Sequence, residues 1–310
     1  MNRVVRIGTR ESELAVWQAT QVKQQLHNSG HTAELVFIKS EGDIDLKTPL
    51  YEMGVQGIFT RSLDIALLNN RIDLAVHSLK DIPTQLPEGL VQAAVLPRGS
   101  YKDLLVYKNR AVADGLQSAP GPPLVIATSS IRRKAQWLNR YPHHDIENLR
   151  GNVNTRLQKL LVSNWHGAIF AAAGLERIGL RPENSIELDW MLPAPAQGAV
   201  AVVSRKEDLF IKEACQAFND DATALCTKIE RDFLRVLLGG CSTPISALAA
   251  IENKTVSIRG NILSTDGREK AEIEKTVDIT MAADLGKTAA EELLSNGGKK
   301  IAEGIRHAGK

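Results

Sequence analysis

Seven basic side chains stand where the chain pattern turns from strand to helix: Arg10, Lys80, Arg132, Arg133, Arg150, Arg156 and Arg177. An arginine fork binds a carboxylate through two parallel hydrogen bonds. Helix N-termini at such positions add N–H donors and positive partial charge. Any one of these residues alone reads as solvated surface. Together, at corresponding positions of two lobes, they read as the lining of a cleft for a ligand with several negative charges. One carboxylate, Asp81, sits beside Lys80 among them. Neighbouring cations favour its ionised form, from which it would stabilise a developing cation. At ~4 Å and an effective dielectric near 20 that interaction is worth roughly 4 kcal/mol before desolvation, about three decades of rate if it is confined to the transition state. The competing reading is a structural ion pair, or a cap at the turn before Pro83. The third feature is Cys241, in Gly239-Gly240-Cys241-Ser242-Thr243-Pro244. The two glycines end a helix and remove side-chain bulk, which displays the thiol on a loop. A cysteine in general is more often a small buried hydrophobe, and Cys215 and Cys226, in helix patterns, take that reading. His77 reads as structural.

The elements that must position these residues follow from hydrophobic periodicity. Residues 4–9 read as a strand, followed by a helix with Ser12 as N-cap and Ala15, Ala19, Val22 and Leu26 on one face. Residues 32–39 read as a second strand. Residues 42–57 are polar and punctuated by glycine, and read as a mobile loop. A helical face (Phe59, Leu63, Ala66, Leu67) and a strand at 73–78 lead to Lys80-Asp81. The plan repeats at 124–140, where a strand runs into Thr128-Ser129-Ser130 and a helix. Beyond it lie a helix opened by Arg150-Gly151-Asn152, with Val153, Leu157, Leu160 and Leu161 inward, and a strand at 167–173. Alternating strands and helices imply parallel sheets covered by helices, with a cleft between two similar lobes. Further on come a strand at 199–204, helices at 207–219 and 222–238, strands at 255–263 and 270–278, and one final helix over about 282–306. Strands clustered before a helix suggest a small α+β domain.

Composition narrows the function. The chain has 310 residues, enough for two or three domains, with 43% hydrophobic and 24% charged residues. That excludes disorder, collagen and a disulfide-built fold. Its net charge of +2, with 5% aromatic residues, argues against a nucleic-acid-binding module. There is no apolar run of membrane-spanning length and no secretory signal, so the chain reads as cytoplasmic and off the membrane. An odd number of cysteines and no Cys or His pair at ligand spacing argue against disulfides and zinc. No G-x-G-x-x-G, H-E-x-x-H or G-x-S-x-G occurs.

Six segments, in order, resemble the porphobilinogen deaminase (hydroxymethylbilane synthase) family: Val76–Pro83 (VHSLKDIP), Ala127–Arg133 (ATSSIRR), Leu149–Leu157 (LRGNVNTRL), Ala172–Arg177 (AAGLER), Leu192–Ala199 (LPAPAQGA) and Gly239–Cys241 (GGC). The resemblance implies two lobes like those of type-II periplasmic binding proteins plus a small α+β C-terminal domain. Lobe one would take residues 1–97 and 198–217, lobe two 98–197, and the C-terminal domain, which carries the cysteine, 218–310. It implies a dipyrromethane cofactor bound covalently by a thioether to Cys241. On this primer four porphobilinogen units would be joined head to tail, each losing ammonia, before hydrolysis releases hydroxymethylbilane for tetrapyrrole (haem) biosynthesis. Each pyrrole carries an acetate and a propionate, which is the polyanion the arginines call for.

By the same resemblance, Asp81 is the catalytic residue. Cys241, Ser78, Lys80, Thr128, Ser129, Ser130, Arg132, Arg133 and Arg156 would hold the cofactor. Arg10, Arg150, Arg177 and Phe59 would serve the substrate. No metal is implied, and the enzyme would be a monomer acting on a small molecule. The chain departs from the family around Gly54–Phe59, where Glu52 and Gln56 replace lysines common in other members, which should weaken that loop's attraction to an anionic chain. A two-lobed anion binder without chemistry remains a rival, but it accounts for neither Asp81 nor Cys241.

Overall fold

The computed structural model of the chain describes residues 3–39, 60–117, 122–237 and 243–308. Phe59 and Cys241, and with them Glu52 and Gln56, lie outside the described residues. Along the chain the strands are β1 (Val5–Thr9), β2 (Ala33–Phe37), β3 (Leu74–Ser78), β4 (Leu90–Val95), β5 (Asp103–Tyr107), β6 (Val125–Ala127), β7 (Asp145–Glu147), β8 (Gly167–Ala171), β9 (Ser185–Glu187), β10 (Val200–Arg205), β11 (Ile245–Glu252), β12 (Thr255–Leu263) and β13 (Lys270–Asp278). The helices are α1 (Glu13–Asn28), α2 (Arg61–Leu68), α3 (Arg110–Gln117), α4 (Ile131–Arg140), α5 (Val153–Val162), α6 (Ala172–Glu176), α7 (Leu209–Gln216), α8 (Asp221–Val236), α9 (Leu285–Leu293) and α10 (Lys299–Ala308).

Two five-stranded sheets share one plan. The first has the order β2-β1-β3-β10-β4 and the second β7-β6-β8-β5-β9. In the first, β1 runs parallel to β2 and β3, while β10 is antiparallel to β3 and β4. In the second, β6 runs parallel to β7 and β8, while β5 is antiparallel to β8 and β9. The expected all-parallel sheets are thus mixed. The reversed strand of each sheet is the one that starts as the chain crosses between lobes, β5 on the way out and β10 on the way back. Each enters at the end where the parallel strands finish, and so runs against them. The crossing segments lie side by side, with Gly99 N donating to Gly198 O at 3.0 Å. Gly198 holds φ +88°, and a Cβ there would sit 2.7 Å from Ser100 O, so only glycine fits this crossing.

Each sheet is buried on both faces, as helices on both sides require. In lobe one, Val5, Ile7, Val22, Leu26, Val202 and Ile211 pack under α1 and α7, and Leu63, Leu67, Ile72, Ala75 and Val203 pack under α2. In lobe two, Trp137 fills one face with Ile126 and Ile169, and Leu160, Phe170 and Leu175 fill the other. Leu161, expected inward, is 66% exposed, because α5 turns Leu160 to the core and the next residue stands about 100° around the helix. The two sheets with their helices are thus a pair of α/β lobes built on one plan.

The third unit is an antiparallel sheet, β11-β12-β13, covered by α8, α9 and α10. The expected single helix at its end is broken at Asn296-Gly297, where Gly297 has φ +98°. This unit touches both lobes. Gln136 of α4 donates to Ser246 Oγ, Asn139 of α4 donates to Gly267 O, and Arg231 of α8 reaches the segment after β3.

Candidate active site between the lobes

Lobe one contributes the ends of β1 and β3. Arg10 directly follows β1. At the end of β3, Ser78 Oγ accepts from Gln18 Nε2 of α1 at 2.8 Å. A single 3-10 turn, Leu79–Asp81, follows, with Leu79 fully buried and Lys80 and Asp81 partly exposed. Pro83 holds Ile82 extended (ψ 129°) and stops the turn from growing into a helix. The apolar Leu79 anchors the turn, and the charged pair is left to face the other lobe.

Lobe two contributes the ends of β6, β7 and β8. Thr128 and Ser129 are buried after β6. Ser130 caps α4, its Oγ accepting from Arg133 N, while its own N–H donates to Thr128 Oγ1 at 3.2 Å. This cap puts Arg132 and Arg133 in the first turn of α4, both buried, and both reach back to one carboxylate. Arg132 Nη2 lies 2.7 Å from Asp103 Oδ2, and Arg133 Nη2 lies 2.7 Å from Asp103 Oδ1. Arg132 Nη1 also donates to Leu192 O and Arg133 Nη1 to Ile169 O, but Arg132 Nε is buried and has no hydrogen-bond partner among the described residues. After β7 comes buried Arg150, then Asn152, which caps α5 by accepting from Thr155 N at 2.9 Å. On α5, Arg156 Nε donates to Gly151 O. Arg177, after α6, donates to Gly198 O and lies 5.4 Å over the Trp17 ring of the opposite lobe.

The two sets meet. Lys80 Nζ approaches Gln197 Oε1 at 3.4 Å, and Gln197 Nε2 donates to Asp103 Oδ1 at 2.9 Å, so one amide on the return crossing links the lobes. Burial pushes the Lys80 ammonium down to about 8; Asp81 opposes the shift, while Arg133 and Arg132 add to it. Burial, then Arg133 and Arg150, lower Arg156 to about 10 against the pull of Asp81. Burial lowers Arg177 to about 10. Burial alone would raise Asp103, yet the two arginines outweigh it and hold the carboxyl near 2. Among the described residues, five cations linked pairwise through Arg133 and Arg156 (Lys80, Arg132, Arg133, Arg150 and Arg156) therefore face two carboxylates, Asp81 and Asp103. Packing that many like charges lowers their proton affinity, and a polyanion entering the cleft would relieve the repulsion.

Of the residues singled out from sequence, Lys80, Asp81, Arg132, Arg133, Arg150 and Arg156 come together as one charged cluster. Ser78, Thr128, Ser129 and Ser130 stand at the strand ends beside it, with Ser130 spent on capping α4 and Ser78 accepting from Gln18. Arg10 lies near His77, and Arg177 lies near Trp17 and the crossing. Burial, then Arg10, lower His77 to about 4, which keeps its imidazole neutral. Cys215 and Cys226 are buried, and burial raises them to about 12 and about 11, so both are inert thiols. Sequence reasoning missed Asp103 and Gln197. A charged residue opening an otherwise apolar strand (Asp103-Leu104-Leu105-Val106) was a usable signal for the first. Gln197 lay inside a quoted segment without an assigned role. Among the described residues no cluster of His, Cys, Asp and Glu is arranged to hold a metal.

Comparison with known proteins agrees with this geometry. A family model described as "Porphobilinogen deaminase, dipyromethane cofactor binding domain" matches residues 5–213, and one described as "Porphobilinogen deaminase, C-terminal domain" matches residues 224–295. A porphobilinogen deaminase of Desulforamulus reducens is 38% identical over 99% of this chain and 99% of its own length. A chloroplastic porphobilinogen deaminase of Oryza sativa is 38% identical over 95% of this chain and 84% of its own. A probable amino-acid transporter binding protein of Bacillus subtilis (YtmK) superposes on 72% of this chain and 94% of its own at 13% identity, with a TM-score of 0.41, too low to add to the strand orders above. With both family models matched in order and full-length relatives on either side of the plant–bacterial divide, the chain belongs to the porphobilinogen deaminase family.

Proposed function

We propose that the cleft of this family member deaminates porphobilinogen and joins four units into hydroxymethylbilane, with Asp81 as its catalytic residue. The observation that carries the reading is the excess of cations at the strand ends, in which, among the described residues, Asp81 and Asp103 are the carboxylates present. The donor set suits a dipyrromethane with four carboxylates: among the described residues it has guanidinium forks, a buried Arg132 Nε without a partner, and fewer anions than cations. Arg132, Arg133, Arg156, Lys80, Ser78, Thr128, Ser129 and Ser130 would hold it, with Cys241, outside the described residues, as the attachment point. When bound, this group supplies the free pyrrole α-carbon to which the first substrate is joined.

The chain's own residues do the rest. Arg10, Arg150 and Arg177 bind the acetate and propionate of the incoming ring and orient its aminomethyl carbon; Phe59, outside the described residues, is kept with them. When the carbon–nitrogen bond breaks, ammonia takes the bonding electrons and the substrate ring is left cationic. The Asp81 carboxylate faces that charge and accepts hydrogen bonds from pyrrole N–H groups. Its selectivity for the cation over the neutral substrate is the source of rate. Asp103 cannot share this work, because both of its oxygens are taken by Arg132 and Arg133.

The same proposal keeps the unit boundaries at 1–97 with 198–217, 98–197 and 218–310, in line with sheet membership. It also takes the protein as a cytoplasmic monomer that binds no nucleic acid, in line with its charge balance. None of the described helices is long and apolar enough to cross a membrane.

Asp81→Asn tests the reading. Folding and most of the affinity for anions should persist, while turnover of porphobilinogen falls by about three decades. Turnover near wild type would remove Asp81 from the mechanism.

A further inference from the structure

The turn that carries Asp81 is short; besides the approach of Lys80 to Gln197, backbone bonds tie it down. Leu79 N donates to Ala199 O at 3.0 Å, and Ile82 N donates to Leu79 O at 3.2 Å. The hydrogen-bond geometry of a 3-10 turn is poorer than that of an α-helix, so a further anchor would hold the carboxylate more firmly. The carbonyls on either side of Asp81 are gathered by one side chain from the third unit. Arg231 Nη1 donates to Ile82 O at 2.9 Å and to Leu79 O at 3.3 Å, and Arg231 Nη2 donates to Pro83 O at 2.7 Å.

The base of that guanidinium is itself fixed. Arg231 sits on α8 beside Glu230, whose side chain is fully buried. Glu230 takes a paired bond from Arg98 and also accepts from Ala196 N at 2.6 Å and Ala249 N at 2.8 Å. Arg98, in turn, donates to Gln197 O. Neighbouring residues of one helix thus grip both crossings between the lobes, the third sheet and the Asp81 turn.

We propose that Arg231 is a positioning residue for catalysis, setting the place of the Asp81 carboxylate by bracketing its turn from α8. The inference rests on the reading of Asp81 as the catalytic residue. A shift of about 1 Å at a reacting geometry can cost two decades of rate while substrate binding, made by other side chains, is little changed. Lysine keeps the charge and the stem but offers a single nitrogen that cannot span three carbonyls in one plane. It should restore part of the lost rate.

The test uses full-length, primer-loaded protein. The loaded fraction is read by denaturing mass spectrometry, so that kcat refers only to loaded molecules. Arg231→Met should lower kcat at least ~10-fold with KM for porphobilinogen within about threefold of wild type, and Arg231→Lys should fall between the two. A kcat within twofold of wild type in either variant would overturn the proposal. So would a loss of activity that vanishes after correction for the loaded fraction, which is the mark of a purely structural role. If Arg231→Met does not fold, Arg231→Lys decides alone by the same criteria. Asp81→Asn runs beside them. If it turns over normally, the reading of Asp81 fails; if it is inactive while Arg231→Met is not, only the role of Arg231 fails.

Discussion

Two arginine–aspartate networks in this molecule are built from the same parts and end in opposite states. At the outer end of lobe one, Arg3, Arg6 and Arg205 converge on Asp73 and Asp208, and these side chains line a cavity of about 600 Å³ together with Glu207. Three cations meet three carboxylates there, and Arg3 and Arg6 are about 40% exposed. In the cleft, the guanidinium groups on Asp103 are nearly inaccessible, and among the described residues cations exceed carboxylates. The outer network is self-neutralised and open to water, so its cavity, though roomy, asks for no ligand. The inner one is left short of negative charge in a place where water cannot easily supply it. Charge balance and access, rather than cavity size, separate a structural ion-pair cluster from a binding site.

Removing one carboxylate from each network is the sharpest way to break that contrast. Asp103→Asn strands two buried guanidiniums and should destabilise the fold by about 3–5 kcal/mol, with loss of primer retention, as read by denaturant unfolding and intact mass. Asp73→Asn leaves arginines that water can reach. It should cost about 1–2 kcal/mol and leave the primer in place. Equal costs at the two sites would refute the distinction.

A third carboxylate gives the smallest and most specific effect. Asp64 on α2 is 6% exposed, and one of its oxygens has no partner among the described residues. Burial raises its carboxyl to about 6, with a bond from Thr60 opposing. Its sign is therefore opposite to that of Asp73 and Asp103. The contributions of those two are present above about pH 4 and are lost as pH falls. The contribution of protonated Asp64 is present below about pH 4 and is lost as pH rises through about 6. Asp64→Asn should raise Tm by a few degrees at pH 7 and flatten the dependence of Tm on pH between 4 and 6. An unchanged slope would show that Asp64 is solvated in the folded protein.

What could be read in the sequence divides along the same line between local and assembled properties. Period and turn chemistry located β1, α1 and β3, and the polar ends of β1, β3 and β6, because each depends on residues close in the chain. They did not reveal that β5 and β10 run antiparallel, which follows from where the chain re-enters each sheet. The first strand of the third sheet, β11, also escaped notice, because its alanine-rich stretch Ala247–Ala250 lacks the β-branched pattern of a strand. Lys80-Asp81 was visible as a pair, but the partner that brings Arg132 and Arg133 together, Asp103, lies 29 residues away from the first of them. Arg231 was hidden for the same reason: its carbonyl partners lie 148–152 residues off, and nothing on α8 sets it apart from a solvated helical arginine.

The central claim is that the cation surplus holds a polycarboxylate chain which grows in this cleft. The most direct test is the intact mass of the denatured protein before and after porphobilinogen is added, with the adduct mapped by peptide. The account predicts a two-pyrrole adduct on Cys241 that gains single-pyrrole steps with substrate. Properly folded protein that stays unmodified after meeting porphobilinogen, or an adduct mapped to another residue, would contradict it.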